Sequence, residues 1–372
     1  MDFALLHPRE QLANILARIY TGGMTTTSGG NLSIRDEAGN IWITPKGVDK
    51  GALGPADMVC VRADGGMDGI HPPSSEYPFH LAIYRQRPDL QAIIHGHPAA
   101  LVAFSIVRQT PRTEMIPQAR QVCGEVGYAP YAVPGTDALG DSIAATFAQG
   151  VNAVIMENHG TVVGGASLLD AFQRFESLEF CARTQINASR LGSPRYLSDQ
   201  QFASAEHQQH LLPLLEQVEH PADERELRQT LCRFVQRACQ QGLMISTYGT
   251  ISARWQGDDF IITPTSVDRR HLQASDLVQI RNGQREPGRL PSRSVLAHAE
   301  IYRRHPHVNS VVVTQPPNIM AFAVSGADFE TAPSRKATCC SRMCRYCRMA
   351  AIFQGGHQRH LVHRHADPAD RK

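Results

Sequence analysis

The pattern of apolar and polar positions along the chain predicts a mixture of helices and strands. Leu12, Ile15, Leu16 and Ile19 recur at steps of three and four residues, which predicts an amphipathic helix over residues 8–20. Further helices are predicted over residues 77–87, 138–148 and 168–186, and strands at 41–43, 58–61, 153–156 and within 91–98. Because helices and strands are mixed without strict alternation, we expect α/β or α+β layers.

The sequence also repeats itself after about 219 residues. Equivalent pairs at offsets of 219 and then 218 residues include Leu12 and Leu231, Gly30 and Gly249, Thr44 and Thr263, His80 and His298, and Tyr84 and Tyr302. Two copies of one domain are therefore predicted. We expect a first domain at residues 1–190, a polar linker at 191–222, a degenerate partial copy at 223–330 and a tail at 331–372.

The tail has a different composition from the rest of the chain. Residues 331–372 hold nine Lys/Arg and two Asp/Glu, and nothing in them resembles residues 113–190. They also contain Cys and His residues at short spacing, which could form a small zinc module: Cys339, Cys340, Cys344, Cys347, His357, His360, His363 and His365. The interpretation that we favour is a tail without a packed core, of the kind a translated frameshift produces.

Composition excludes some classes of function. At 372 residues the chain is long enough for two domains, and its net charge of +2 gives no reason to expect nucleic acid or an anionic membrane as a partner. The N-terminus has no basic region followed by an apolar one, and no apolar run approaches the length of a membrane span. The other five cysteines are scattered, so no disulfide framework is predicted and a cytoplasmic location is expected.

Candidate metal chemistry lies at His95 and His97. Side chains alternate faces along a strand, so these two histidines should point the same way while Ile94 points into the core. A third ligand is offered by His159, in the turn that follows the apolar run at residues 153–156. Three histidines with an open fourth position are typical of catalytic zinc. Taken alone, a His-x-His pair is more often one packed and one surface histidine.

The second copy shows which of these residues the fold can lose. The equivalents of the candidate chemical residues are changed while core positions persist: Glu76 becomes Ser294, His95 becomes Val313, His97 becomes Gln315 and Asn31 becomes Thr250. The fold therefore does not require Glu76, His95 and His97. This comparison favours a functional metal site in the first copy.

Two segments could bind an anion. The run from Thr27 to Ser33 contains a Gly-Gly-Asn turn, whose backbone N–H groups and flanking hydroxyls can hold an anion, although such a run is more often a simple hairpin turn. Ser74 and Ser75 lie at or before the N-terminus of the helix predicted at 77–87, where the helix dipole favours phosphate. An ordinary N-cap is the other interpretation of Ser-Ser-Glu.

These motifs together resemble a known family. They stand in one order along the chain: Gly30-Asn31, Thr44, Ser74-Ser75-Glu76, His95-Gly96-His97-Pro98 and Glu157-Asn158-His159-Gly160. The set resembles the class II aldolase/adducin family, whose best-known enzyme type is L-fuculose-phosphate aldolase. The resemblance covers about residues 8–190, and about 224–330 as a decayed copy. It implies a three-layer α/β/α domain around a mostly antiparallel central sheet, Zn²⁺ or another divalent metal, and a homo-oligomer with active sites between subunits.

The resemblance also implies roles for individual residues. His95, His97 and His159 resemble the family's metal ligands, and Glu76 resembles its acid/base. The phosphate pocket is matched by Ser28, Gly30, Asn31, Thr44, Ser74 and Ser75. The family's aldolases use a tyrosine from a neighbouring subunit as proton donor, for which Tyr128 and Tyr131 are the candidates.

The expected function is aldol cleavage of a ketose 1-phosphate to dihydroxyacetone phosphate and an aldehyde. In the mechanism that the resemblance implies, the metal acts as a Lewis acid and Glu76 moves the protons. The same site could decarboxylate, epimerise or dehydrate a sugar acid or sugar phosphate. A different class of function is non-catalytic assembly, as in adducin-type members, but a scaffold has no reason to keep three ligands and Glu76 together.

Overall fold

The structure is a computed structural model that describes residues 3–206 and 212–329, with residues 204–206 described by their backbone alone. The α-helices are α1 (Pro8–Thr21), α2 (Tyr77–Gln86), α3 (Ala99–Ile106), α4 (Pro117–Cys123), α5 (Asp137–Phe147), α6 (Leu168–Leu191), α7 (Asp199–Glu206), α8 (Ala222–Gln240), α9 (Val295–Arg304) and α10 (Pro317–Ser325). The strands are β1 (Asn31–Arg35), β2 (Ile41–Ile43), β3 (Val59–Val61), β4 (Met67–Asp68), β5 (Ala92–Gly96), β6 (Val126–Ala129), β7 (Ala153–Met156), β8 (Gly160–Gly165), β9 (Thr250–Gln256), β10 (Asp259–Ile262), β11 (Val278–Arg281), β12 (Gln284–Arg285) and β13 (Ser310–Val313).

The first half of the chain is built on an eight-stranded sheet in the order β4-β3-β2-β1-β5-β8-β7-β6. Neighbouring strands are antiparallel except for β6 and β7, which are parallel. Ile94 packs in a core with residues of α1, α3 and α6, whereas its neighbour Ile93 packs in a second core with residues of α2 and α5. Helices cover both faces of this sheet, which confirms the predicted α/β class. The strand directions confirm the mostly antiparallel central sheet that the family resemblance implies.

Most predicted elements of this half are found within a few residues of their expected bounds. The exception is α6, which continues to Leu191 instead of ending near 186. Its added turn is polar, but Ala188 in that turn is buried in a core shared with residues of the second half. This packing stabilises the last turn of the helix. Helix α3 was not predicted, because its apolar run, Ala99–Ile106, has no polar stripe from which a period could be inferred.

The second half carries a five-stranded sheet in the order β12-β11-β10-β9-β13. Its strands pair antiparallel, and α8 packs against β9 over a core that includes Leu231 and Ile251. The order of elements, one helix, four strands, a helix, a strand and a helix, is the same as that from α1 to α3.

The two halves share one compact unit, whose described part comprises residues 3–197 and 212–327. Helix α10 lies against α6, and a common core contains Phe180 of the first half with Tyr248 of the second. A buried ion pair also crosses the boundary, with Arg18 Nη1 lying 2.5 Å from Asp268 Oδ2. Removing one partner of such a pair would leave an uncompensated buried charge, so the halves are fixed to each other by charge as well as by apolar contact.

The described part of a second unit comprises residues 198–206 and 328–329 and contains α7. The interpretations of the tail at 331–372 lie outside the described residues. Within the described ranges, no helix combines the length and apolar character that crossing a membrane requires. The cytoplasmic location stays a prediction.

Candidate metal centre

Three histidines meet at one end of the eight-stranded sheet. His95 lies in β5, His97 follows the end of that strand, and His159 lies in the turn between β7 and β8. One nitrogen from each ring can be chosen such that the three nitrogens all lie within 4.8 Å of one another. Because β8 pairs with both β5 and β7, the sheet itself brings the turn of His159 to the end of β5.

The hydrogen bond that His95 forms fixes its tautomer. Its Nδ1 lies 3.0 Å from the carbonyl oxygen of Thr161, which can only accept, so Nδ1 carries the proton. Nε2 is then left with a free lone pair. Among the described residues neither His95 Nε2 nor the buried Nδ1 of His159 has a hydrogen-bond partner. Buried nitrogens without partners are expected where a metal ion completes the site.

The histidines are also held neutral. Burial, followed by the nearby ring of His159, lowers the pKa of His95 to about 3. Burial and the rings of His95 and His159 lower the pKa of His97 to about 3. Burial likewise lowers the pKa of His159, against the opposing effect of the Glu76 carboxylate. Neutral imidazole is the form that binds metal, so the three rings fit a divalent cation, and a set of three histidines fits Zn²⁺.

Glu76 lies beside two of the three rings. Its Oε2 is 3.4 Å from His95 Nε2, and its Oε1 is 3.6 Å from His159 Nε2. The residue stands immediately before the first residue of α2, as the sequence predicts. The carboxylate therefore lies beside the unpartnered Nε2 of His95 and beside the ring of His159.

A chain of hydrogen bonds leads from Glu76 into the core. Asn31 donates from Nδ2 to Glu76 Oε2 (2.6 Å), so its Oδ1 is the atom that accepts from His80 Nε2 (2.5 Å). The other ring nitrogen of His80 lies 2.7 Å from Ser33 Oγ, which in turn is 2.8 Å from the hydroxyl of Tyr84. Burial lowers the pKa of His80, so the ring is neutral and Nδ1 accepts from Ser33. The chain fixes the orientation of the Asn31 amide.

The Gly-Gly-Asn turn is a close neighbour of the histidines. A Cβ atom on Gly29 would lie 2.7 Å from His97 Nδ1, and one on Gly30 would lie 2.8 Å from the carbonyl oxygen of His95. Gly30 also has a φ of +75°, which side chains rarely adopt. Glycine is therefore required by the approach of this turn to β5.

The other residues predicted for the anion pocket differ in exposure. Ser28 and Ser75 are exposed, whereas Ser74 is buried and its hydroxyl accepts from the backbone N–H of Glu76 at 3.3 Å. Thr44 is fully buried, and its hydroxyl accepts from the backbone N–H of Leu32. This bond ties β1 to the end of β2, so an anion contact of the Thr44 hydroxyl stays a prediction.

The two candidate tyrosines lie near Glu157, two residues before His159. Tyr128 is in β6, where burial and then the Glu157 carboxylate raise the pKa of its hydroxyl. Tyr131 follows that strand, is 57% exposed and donates its backbone N–H to Glu157 Oε2. Glu157 also pairs with Arg108 at 2.7 Å. The role of either tyrosine as a proton donor stays a prediction.

Two further buried residues near the site, His80 and Lys50, belong to no sequence motif for chemistry. His80 is marked in the sequence only as a position that the repeat preserves. The repeat keeps His80 as His298, which indicates a residue that both halves need, in contrast to the residues that the second half has lost.

The described part of the second half, residues 212–329, keeps the inner hydrogen bonds of this arrangement but contains no cluster of three histidines. His298 Nδ1 lies 2.7 Å from Ser252 Oγ, which is 2.7 Å from the hydroxyl of Tyr302. Among the described residues His298 Nε2 has no hydrogen-bond partner, because Thr250 stands where the first half has Asn31. Tyr248, at the position equivalent to Gly29, is buried against Phe180 of the first half.

A comparison with known protein families matches this chain to one family. The model of the "Class II Aldolase and Adducin N-terminal domain" matches residues 10–186 and again 229–359. The second matched segment therefore extends past residue 330, the expected end of the partial copy.

Several named relatives match about half of this chain. A 5-deoxy-D-ribulose 1-phosphate aldolase from Bacillus thuringiensis is 32% identical over 199 residues, which are 52% of this chain and 91% of the relative. A 3-oxo-tetronate 4-phosphate decarboxylase from Escherichia coli is 34% identical over 188 residues, 49% of this chain and 88% of the relative. An L-fuculose phosphate aldolase from Methanocaldococcus jannaschii is 31% identical over 172 residues, 46% and 91% of the two chains.

A solved structure is also similar to about half of this chain. YgbL from Klebsiella pneumoniae, described as an aldolase, epimerase or decarboxylase, is 32% identical and has a TM-score of 0.50. The match covers 55% of this chain and 99% of that one.

Proposed function

Because this chain belongs to the class II aldolase and adducin family, whose aldolases are metal-dependent lyases, we propose that it cleaves a carbon–carbon bond of a ketose 1-phosphate. The products would be dihydroxyacetone phosphate and an aldehyde. The observation that carries this proposal is the cluster of three neutral histidines with Glu76 3.4 and 3.6 Å from two of their nitrogens.

His95, His97 and His159 would hold the metal, for which Zn²⁺ is our candidate. Their fit rests on the unpartnered nitrogens of His95 and His159 and on the pKa values that keep the rings neutral. When bound, a divalent metal supplies Lewis-acid stabilisation of the negative charge that develops on substrate oxygens.

Glu76 would carry the protons of the reaction. As the C3–C4 bond breaks, the hydroxyl at C4 loses a proton and becomes the aldehyde, while the bonding electrons move toward the C2 carbonyl. Glu76 would accept that proton, and Asn31 orients the carboxylate through the bond from Nδ2. A proton must then reach C3, for which Tyr128 or Tyr131 of a neighbouring subunit stays our candidate in a homo-oligomer.

The anion pocket would hold the substrate's phosphate. The Gly29-Gly30 turn lies beside His97, and Ser74 and Ser75 stand before α2, where the helix dipole favours negative charge. Binding energy from this remote group would position the reacting carbons.

We also propose that the second half is a partial copy that has lost its chemistry and packs where another subunit would. Its support is the second matched segment, the shared order of elements and the repeated Ser-His-Tyr arrangement. In the first half, Gly29 leaves space beside His97. In the second half the equivalent residues are Tyr248 and Gln315, and the Tyr248 side chain would fill that space.

The reaction is tested with zinc-loaded, full-length protein and a set of sugar phosphates. L-Fuculose 1-phosphate and 5-deoxy-D-ribulose 1-phosphate should each be assayed for dihydroxyacetone phosphate by a coupled NADH-oxidation assay, with metal-free protein as the control. We expect metal-dependent product from at least one of them. No product from either, under conditions where a known aldolase is active, would contradict aldol cleavage.

Decarboxylation is the second candidate, favoured by the 34% identical relative named a 3-oxo-tetronate 4-phosphate decarboxylase. The same site could stabilise the charge left when carbon dioxide departs from a 3-oxo acid. Release of carbon dioxide from 3-oxo-tetronate 4-phosphate, without cleavage of the ketose phosphates, would assign this reaction instead. Inactivity on both classes with metal bound would leave epimerisation, dehydration or the adducin-like assembly role.

Replacing His80 with asparagine should lower kcat by about 10-fold or more while leaving zinc content and KM nearly unchanged. Asparagine can still accept from Ser33, but it does not reach Asn31, whose amide would then be free to rotate away from Glu76. Losing one buried hydrogen bond should also lower the free energy of unfolding by about 1–3 kcal/mol. Steady-state kinetics and urea unfolding measure the two effects.

The chain supplies a matched control in His298→Asn. His298 has the same serine and tyrosine neighbours, but no partner among the described residues for its Nε2. This variant should keep wild-type kcat. Equal kcat values for His80→Asn and wild type, or an equal loss in both variants, would show that His80 serves only the fold.

A further inference from the structure

Lys50 lies where the segments of the predicted anion pocket meet. Its backbone N–H donates to the carbonyl oxygen of Thr27, at the base of the Gly-Gly-Asn turn, at 2.9 Å. Its Nζ donates to the carbonyl oxygen of Pro45 at 2.8 Å. Pro45 in turn pairs with Pro73, immediately before Ser74. The lysine therefore touches the turn directly and the Ser74–Glu76 segment through Pro45.

The ammonium group of Lys50 is buried without a matching anion. The residue is only 4% exposed, and the described residues give it one hydrogen bond, to a neutral carbonyl, and no ion pair. Burial lowers the pKa of Lys50, and the nearby negative charge of Glu76 opposes this effect. An ammonium group has three N–H donors, so two are left for another acceptor. Burying a charge without full pairing is costly, and a bound anion would offset that cost.

The second half keeps a cation at this position but uses it differently. Arg269 is the equivalent residue by the 219-residue offset, and it is 2% exposed. Its Nε donates to the carbonyl oxygen of Gly249 and its Nη1 to that of Val267. Two of its nitrogens are thus engaged with its own turn, which fits a structural cation in a half without the histidine cluster.

We propose that Lys50 binds the anionic end group of the substrate, a phosphate or a carboxylate, and supplies the positive charge of the pocket. The hydroxyls and backbone N–H groups around it are neutral donors, so Lys50 is the residue that makes the pocket select for charge. The proposal rests on the proposed function, because it places the anionic end of the same substrate. It implies a substrate that carries a phosphate or a carboxylate at one end.

The test is isothermal titration of inorganic phosphate into zinc-loaded, full-length protein, with acetate as a second probe. Lys50→Met should bind at least one anion roughly 10- to 100-fold more weakly than wild type, since charge-assisted hydrogen bonds are the strong ones. Lys50→Arg should retain most of the affinity. The control is Lys46→Met, which removes an exposed ammonium group four residues away and should change neither affinity more than about 2-fold.

Loss of phosphate affinity alone would identify a phosphate end group, and loss of acetate affinity alone a carboxylate. Wild-type affinity for both anions in Lys50→Met, at equal zinc content, would overturn the proposal. If that variant does not fold, the wild-type protein still decides. Phosphate should slow the acetylation of Lys50 by acetic anhydride but not that of Lys46, as read by mass spectrometry. Equal labelling of Lys50 with and without phosphate would contradict the proposal.

These measurements separate the Lys50 proposal from the proposed reaction. Lys50-dependent anion binding in a protein that cleaves no sugar phosphate would keep the pocket and reject the lyase. Turnover of a ketose phosphate with an unchanged KM in Lys50→Met would keep the lyase and reject the role of Lys50.

Discussion

Replacing His95 and His97 together with alanine should remove about one equivalent of bound zinc per chain and lower turnover by roughly 1000-fold or more. The expected size follows from the several kcal/mol that Lewis-acid stabilisation contributes to a transition state. His95 and His97 both lie at the end of β5. The double variant would leave His159 as the sole remaining histidine of the cluster. Metal content is measured by inductively coupled plasma mass spectrometry on purified protein, and zinc affinity by competition with a chelator.

The second half offers a control with the same residues at the same spacing. His305 and His307 also form a His-x-His pair, with ring centroids 5.9 Å apart, but they do not belong to the described three-histidine cluster. His305→Ala/His307→Ala should therefore keep the zinc and the turnover of wild type. Equal zinc in all three proteins, or none in any, would contradict the metal site and with it the proposed lyase.

The three-histidine cluster could be predicted from the sequence because its parts lie on local patterns. His95 and His97 are one residue apart at a strand end, and His159 follows an apolar run, so both the elements and their turns could be identified. The repeat then separated chemistry from folding, since Val313 and Gln315 replace the first two histidines. That these positions converge followed from the family resemblance, and the pairing of β8 with β5 and β7 is its physical basis.

The supporting residues could not be predicted in the same way. His80 is an ordinary position on α2 until Asn31 is known to lie opposite His95 on the neighbouring strand, a register that no local pattern contains. Lys50 stands in a polar loop, and a lysine there is normally exposed. Its burial depends on the packing of Thr27 and Pro45 around it, which is a long-range property of the fold.

The contact between the two halves could not be predicted from sequence patterns either. The repeat predicts two similar domains, but not that α10 of one would lie against α6 of the other. The extra turn of α6 and the buried pair of Arg18 with Asp268 are both consequences of that contact. Both features depend on contacts with residues more than 100 positions away in the chain, so no local pattern predicts them.

Replacing Glu76 with glutamine should lower kcat by about 100- to 10,000-fold, the range typical of a general acid or base. Glutamine has nearly the same shape and its carbonyl oxygen can still accept from Asn31, so the pocket should keep its geometry. What disappears is the group that accepts a proton from the substrate. Steady-state kinetics and bound zinc should be measured on the same preparation, with the exposed Glu125→Gln as the control for a changed charge.

The zinc affinity of Glu76→Gln decides between two roles for this carboxylate. Since Glu76 lies 3.4 Å from His95 Nε2, it could act on the substrate's proton or serve as a further metal ligand. If turnover is lost while zinc affinity is unchanged, Glu76 acts in proton transfer, because the loss of a metal ligand would lower the affinity for zinc. A loss of zinc in step with turnover would make Glu76 a ligand and leave proton transfer to another group. Full activity in the variant would remove Glu76 from the mechanism, and the hydrogen-bond chain through Asn31 and His80 would then serve the fold alone.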